Sequence, residues 1–423
     1  MREQENMEPE LLRALASKVQ IDRLMDRISL LAEKARGSAG GVDRLAFSPQ
    51  EAEAARLVAG WMEEAGLTVA FDAIGSMFGS TDGNRPGVGV LMAGSHLDSV
   101  PNGGAYDGVL GVVGAIEAVE AMRAIGIAPN VPLEVVAWRC EEASLFGQGR
   151  LGSLFFTGEL SLETVRQWER PGLPLASLLD EAARLPQRAA DRPLQGYLEI
   201  HIEQGRRLEV DGTTIGAVTA IPGATRWQIR LSGRADHSGA TPMGMRRDAL
   251  AAAAELILAV ERAGMAERAL ETVATAAAIR ALPGAWNVIP GLVELQTDIR
   301  GIEQESIDRA LDFVREAARA IASQRQVEIS FEEKTRGKPV RLDEGMVSRV
   351  ENTARSLGMS VVRIPSGAGH DAQTIVPYAP VGMVFVPSVD GISHAPEEKT
   401  RPEDILAGVQ VLAGTWASLA LEG

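Results

Sequence analysis

The 423-residue sequence predicts an α/β protein in which one layered domain is interrupted by a second, smaller one. Three observations lead to that reading. The chain is longer than one hydrophobic core usually organises. Strand-like and helix-like runs alternate along its first half. Between about 218 and 336 the order changes to β-α-β-β-α-β, the split βαβ or ferredoxin-like signature, which can close a core of its own.

Taken in order, an N-terminal helical stretch leads to a helix at about 50–65. The apolar runs VAFDAIGSMFGS, VGVLMAGS and PLEVVAWR read as strands, with a Gly- and Ala-rich helix from about 108 to 125 between the last two. Residues 160–195 mix Leu, Ala, Pro and charge and read as short helices before the strand YLEIHIEQ. The inserted unit runs strand TRWQIRLSG, helix RDALAAAAELILAVERA, strands ETVATAAAIRAL and VELQTDIRG, helix ESIDRALDFVREAARAIASQ, strand VEISFEE. From about 337 the chain returns with a helix, the strands SVVRIPSG and VGMVFVPS, and a final helix. The expected division is 1–217 with 337–423 for the layered domain and 218–336 for the insert.

Composition narrows the function. At 45% hydrophobic and 23% charged residues the chain is ordinary globular protein, and its net charge of −15 argues against nucleic acid or an anionic membrane as partner. The first residues, MREQENMEPELLRALASKVQ, lack the apolar core of a signal peptide, and no uninterrupted apolar stretch reads as long enough to span a bilayer, so a cytoplasmic protein is the expectation. Cys140 is the only cysteine, which excludes an internal disulfide and a multi-thiolate zinc site. Any metal must be held by imidazole and carboxylate.

All five histidines, His96, His201, His237, His370 and His394, sit beside glycines, carboxylates or amides, a distribution that points to a metal hydrolase. His96 follows an apolar strand in VGVLMAGSHLDSV, and Asp107 comes eleven residues later in the turn NGGAYDG; taken alone, Asp107 reads first as a helix N-cap. Adjacent Glu141 and Glu142 repel one another unless a cation or a proton lies between them. Period-two alternation puts Glu199, His201 and Glu203 on one strand face. His394 lies in the loop DGISHAPEE.

With DHSGATPMGMRRDA, NVIPG, DIRG and SGAGHDA added in order, these segments resemble the hydantoinase/carbamoylase family of amidases in the dinuclear zinc peptidase M20 superfamily. The resemblance implies a zinc-peptidase-like α/β catalytic domain with a ferredoxin-like lid and dimerisation domain. It implies two divalent metal ions, zinc first, with manganese or cobalt as alternatives. Asp107 would bridge them, His96 and His201 completing one site and Glu142 and His394 the other, with Glu141 as general base. His237 would serve catalysis and, with Gln204, Asn287, Arg300, Gly369 and His370, hold the substrate. The expected partners are a small ureido acid with a free carboxylate and a second copy of the chain.

The implied reaction is hydrolysis of an N-carbamoyl-L-amino acid by a metal-bridging hydroxide. Allantoate hydrolysis is the alternative, then an exopeptidase or a catalytically silent homologue. His201 favours the amidase branch, because exopeptidases of the superfamily usually carry a carboxylate there. The chain departs from the family at Cys140, usually Asp or Asn, and at Ala143 and Leu145, usually Gly and Arg. A nucleophilic Cys140 is opposed by the neighbouring glutamates, which raise a thiol pKa.

Overall fold

The structure, a computed structural model, describes residues 7–189 and 191–422. It divides into two compact units: unit 1 is Met1–Thr219 with Leu342–Gly423, and unit 2 is Ala220–Arg341.

Unit 1 contributes strands β1 (Thr68–Phe71), β2 (Met77–Ser80), β3 (Val90–His96), β4 (Leu133–Trp138), β5 (Leu194–Ile202) and β6 (Ile215–Val218) before the chain leaves it. Unit 2 holds β7 (Ala220–Ile221), β8 (Gly223–Ser232), β9 (Asp236–His237), β10 (Val273–Leu282), β11 (Val288–Ile289), β12 (Leu292–Gly301), β13 (Glu328–Arg336) and β14 (Val340–Arg341). The chain then re-enters unit 1 for β15 (Val361–Ile364) and β16 (Val381–Val386). Pairing of β14 with β7 holds the outgoing and returning chain side by side.

The sheet of unit 1 has the order β1-β2-β4-β3-β5-β16-β6-β15. Its four middle strands, β4, β3, β5 and β16, are mutually parallel and buried along almost their whole length. Parallel strands buried on both faces read as continuous apolar runs, which is why VGVLMAGS and VGMVFVPS show no alternation. The helix Val109–Ala124 packs on this sheet and is buried nearly all round, as its Gly- and Ala-rich sequence allows. The helix Pro49–Glu64 starts with Ser48 accepting from Glu51 N at 3.1 Å while the Glu51 carboxylate accepts from Phe47 N at 2.6 Å, a variant of the reciprocal capping box.

One sequence expectation is corrected here. The C-terminal helix Pro402–Glu422 has the length and apolar composition of a membrane-crossing segment. Its apolar surface is mostly buried inside unit 1, against the helix Val109–Ala124, the N-terminal helix Pro9–Ala16 and β16. Fully buried Trp416 donates from Nε1 to the Leu91 carbonyl at 3.3 Å.

Unit 2 has a four-stranded antiparallel sheet, β10-β12-β8-β13, covered by the helices Ala249–Glu267 and Gln304–Arg325. Its core is its own: Ile229, Leu231, Leu256, Val260, Leu295 and Val314 are all solvent-free. On β8 burial alternates residue by residue, as period-two patterning requires of a sheet with one covered face.

Candidate metal centre

The carboxyl ends of parallel strands are where side chains from separate strands converge. His96 is the last residue of β3, Glu141 and Glu142 follow the end of β4, His201 is the penultimate residue of β5, and His394 lies in the loop after β16. Asp107 sits in the turn between β3 and the helix Val109–Ala124. That helix has Gly108 at its N-cap and no side-chain cap, so the capping role fails and the Asp107 carboxylate is free for other work. Gly108 has φ +66°, and a Cβ there would lie 2.5 Å from the His96 ring. Only glycine brings the turn this close to the histidine.

The two oxygens of Asp107 face different partners. Oδ1 lies 3.3 Å from His96 Nε2 and 3.3 Å from His201 Nε2. Oδ2 lies 3.4 Å from His394 Nε2, which is itself 3.3 Å from Glu142 Oε1. Within each trio, His96-Asp107-His201 and Asp107-Glu142-His394, the donor atoms all fall within 4.8 Å of one another. An ion with bonds of about 2.1 Å in tetrahedral geometry spaces its ligands by about 3.4 Å, so both trios fit a divalent cation of zinc size. His96 Nδ1 and His201 Nδ1 lie 2.9 Å from the carbonyls of Asp98 and Ile202. Donation there fixes each ring with its Nε2 toward Asp107.

Electrostatics agree with a cation site. Burial disfavours charge on His96, but its bonds to Asp107 and Asp98 and the charge of Glu141 hold its pKa well above the ordinary value. His201 is likewise disfavoured by burial and raised by Asp107 to about 9, and His394 is raised to about 9 by its bond to Asp107. Asp107 resists burial and lies well below the usual carboxylate range, chiefly because of His201. Burial pushes Glu141 up to about 8, with Glu142 and Asp98 adding and His96 opposing; burial and Asp107 push Glu142 to about 7. Histidines and glutamates both shifted toward their protonated forms are the pattern of a pocket suited to exchange protons for a cation.

Asp98 anchors the glutamates. Its Oδ1 accepts from Glu141 N and its Oδ2 from Glu142 N, each at 3.0 Å. Beneath His201, buried Glu199 accepts from Ser95 Oγ at 2.7 Å, Tyr197 Oη at 3.2 Å and Ala372 N at 3.1 Å. Neither Asp98 nor Glu398, which bonds to the Asp107 turn, stood out from the sequence, although both belong to the quoted segments GSHLDSV and SHAPEE. Glu203 leaves the face assigned to it: β5 ends at Ile202, and the Glu203 carboxylate accepts from Arg207 N and Leu208 N at the start of the helix Arg207–Asp211.

Gln204 belongs to this cluster, its Nε2 lying 2.6 Å from Asp107 Oδ2 and 3.3 Å from His394 Nε2. His370 stands behind His201, edge-on at 4.6 Å and only 2% exposed, with Nε2 2.9 Å from Ser366 Oγ. Burial, with the charge of His201, pushes its pKa well below the ordinary histidine value, so the ring is neutral. Gly369 beside it is exposed.

Three expected substrate residues lie in unit 2. His237 and Asn287 are exposed neighbours on the β9–β11 ribbon, where His237 pairs with Val288. His237 Nδ1 accepts from Gly239 N and Ala240 N, both at 3.1 Å, which leaves Nε2 to carry the ring proton as an outward donor. Arg300 on β12 donates to Asp298 from Nε at 2.6 Å and Nη2 at 3.0 Å, so one edge of its guanidinium is engaged within the unit.

The departures at Cys140, Ala143 and Leu145 have a packing context. Cys140 is buried in an apolar cluster with Phe47, Ile74 and Leu151, and Leu145 packs against that cluster. Burial raises the thiol pKa well above its ordinary value, which removes a thiolate nucleophile. Arg139 binds Glu51, and Arg150 Nη1 binds Gln373 Oε1 at 2.9 Å, while Arg170 bonds to the Leu145 carbonyl.

Residues 92–418 match the family described as peptidase family M20/M25/M40. An N-carbamoyl-L-amino acid amidohydrolase of Geobacillus stearothermophilus is 40% identical, covering 95% of this chain and 99% of that protein. An allantoate amidohydrolase of Bacillus subtilis is 34% identical, covering 94% and 97%. The crystal structure of an amidase of the hydantoinase/carbamoylase family from Burkholderia multivorans superposes with a TM-score of 0.89 at 35% identity, covering 95% of this chain and 98% of that one. With these likenesses reaching into both units, the chain belongs to peptidase family M20/M25/M40 and, within it, to the hydantoinase/carbamoylase family of amidases.

Proposed function

We propose that this hydrolase cleaves the ureido C–N bond of an N-carbamoyl-L-amino acid, with water as co-substrate and the amino acid, ammonia and carbon dioxide as products. The observation that carries the hydrolytic reading is Asp107, whose two oxygens serve two separate ligand trios. The substrate class is supported by the amidohydrolase relatives and by a histidine at position 201.

His96, Asp107 and His201 would hold one divalent cation, and Asp107, Glu142 and His394 the other. Imidazole favours zinc, and the carboxylate share admits manganese or cobalt. When bound, such ions polarise the carbonyl to be attacked and lower the pKa of a water. Glu141 belongs to neither trio, yet its Oε2 is 4.0 Å from His96 Nε2 and its side chain is 13% exposed. In this reading it would take a proton from the attacking water and return it to the departing nitrogen. Asp98 holds Glu141 and Glu142 in register for this exchange. His237 Nε2–H and the Asn287 amide would donate to the oxygen that gains charge, and the free edge of Arg300 would take the substrate carboxylate. Gln204, Gly369 and His370 would complete the substrate contacts, and a second copy of the chain would pair through unit 2.

The test is ammonia release from N-carbamoyl-L-amino acids, N-carbamoyl-β-alanine, allantoate and a dipeptide, using metal-stripped protein reloaded with zinc, manganese or cobalt. Metal-dependent release, fastest from one N-carbamoyl-L-amino acid, is expected. Faster release from allantoate would replace the substrate assignment, and faster dipeptide cleavage would return the chain to the peptidases. In the same assay Glu141→Gln is expected to keep its metal content and lose at least ~10²-fold in kcat, the lower bound for a general base. Wild-type turnover in that variant would remove Glu141 from the base role.

A further inference from the structure

Glu398 lies outside both ligand trios and outside the expected substrate contacts, yet its carboxylate joins the two loops on which the second trio depends. Its Oε1 accepts from Tyr106 N at 2.9 Å and from Asp107 N at 3.1 Å. Its Oε2 accepts from Ser393 Oγ at 2.8 Å and from His394 N at 3.3 Å. One oxygen therefore serves the Asp107 turn and the other serves the His394 loop.

The side chain is only 5% exposed, and the approach is close enough to exclude a side chain opposite: a Cβ on Gly104 would fall 2.1 Å from Glu398 Cδ and Oε1. Both loops turn through left-handed backbone at the ligands, with φ +57° at His394 and +66° at Gly108. Glycine adopts its turn at no cost, whereas the left-handed His394 persists only where the surroundings fix it, and the bonds from Ser393 Oγ and His394 N to the buried carboxylate help do so.

Resting on the two-ion reading above, we propose that Glu398 is a positioning residue: it sets the separation of Asp107 from His394 and thereby the affinity of the site that Asp107, Glu142 and His394 would form. A glutamine in its place has nearly the same shape but offers one oxygen, so it can satisfy one loop while presenting an NH₂ group to the donors of the other. Outer partners of metal ligands are worth roughly 10–100-fold in metal affinity.

The experiment is calorimetric titration of the metal-stripped full-length protein with zinc or manganese, comparing wild type, Glu398→Gln and Glu398→Ala, with melting of each metal-free protein alongside. Two ions are expected in wild type. In Glu398→Gln one of them should bind roughly 10–100-fold more weakly while the other is retained. With saturating metal, kcat should fall with KM little changed. A merely structural role would lower the metal-free melting temperature and leave both affinities unmoved, so wild-type affinities in Glu398→Gln would overturn the proposal even if Glu398→Ala failed to fold. Fewer than two ions in wild type would instead overturn the two-ion reading itself, and this proposal with it.

Discussion

His201 of unit 1 and His237 of unit 2 both sit in strands, yet their surroundings have little in common. His201 is 2% exposed and faces Asp107 above Glu199; His237 is exposed, and its Nδ1 is met by two backbone N–H groups. The contrast extends to their units. Unit 1 buries Asp98, Asp107, Glu142, Glu199 and Glu398 around its strand ends, whereas Arg300 of unit 2 settles its charge on neighbouring Asp298 and keeps one edge open. A buried polar group must find its partners within its own unit or cost several kcal/mol. The groups of unit 1 are consequently organised before any ligand arrives, and those of unit 2 are held by local turns with their outward donors still unspent.

The largest effect that would break this contrast is Asp107→Ala. Both trios share that carboxylate, so metal content should fall from two ions to none or one, with a loss of about 10³-fold or more in turnover, since metal ions supply several kcal/mol of charge stabilisation. Metal content by elemental analysis and ammonia release check it; two ions retained would mean that the trios do not depend on Asp107.

Arg300→Ala should act in the opposite manner. Loss of charge-assisted bonds of about 1.5–3 kcal/mol should raise KM roughly 10–100-fold while metal content stays at the wild-type value. Equal KM values, or lost metal, would erase the division of labour between the units.

The smallest effect concerns a carboxylate of unit 1 that lacks a cationic partner. Asp72 Oδ1 accepts from Ile74, Gly75 and Ser76 N–H, its carboxylate is buried, and burial pushes the pKa up to about 6 against those bonds and the Ser76 side chain. A folded pKa raised above the unfolded one favours the protonated form, so the stability it contributes is present below about pH 4 and lost as pH rises through about 6. Asp72→Asn keeps an acceptor for the N–H groups and removes the charge. Its melting temperature should exceed wild type by roughly 2–4 °C at pH 8, a difference that closes at pH 4. An equal offset at both pH values would show that ionisation of Asp72 plays no part.

Much of this cluster was legible because a carboxyl-end site writes its side chains next to apolar runs: His96 closes VGVLMAGSH, and Glu141 and Glu142 follow PLEVVAWRC. The β-α-β-β-α-β order of unit 2 was legible for a similar reason, its strands and helices being local and periodic. What escaped was set by long-range packing. The Glu398 carboxylate accepts from donors 291 and 292 residues away, and nothing in HAPEE separates it from Glu397. Glu203 looked like part of a strand face because alternation does not announce where a strand stops. The buried Pro402–Glu422 helix was missed as a long apolar segment because Glu403 and Asp404 open it with charge.

Asp98 carries one further consequence. Because its two oxygens hold the amides of Glu141 and Glu142 separately, those residues travel as a single piece whenever the end of β4 shifts. The two glutamates thus share one anchor, and a substitution that tilts this strand end moves both without parting them. The apolar cluster that Cys140 and Leu145 join can then be repacked on one side of the glutamates while their mutual spacing is kept.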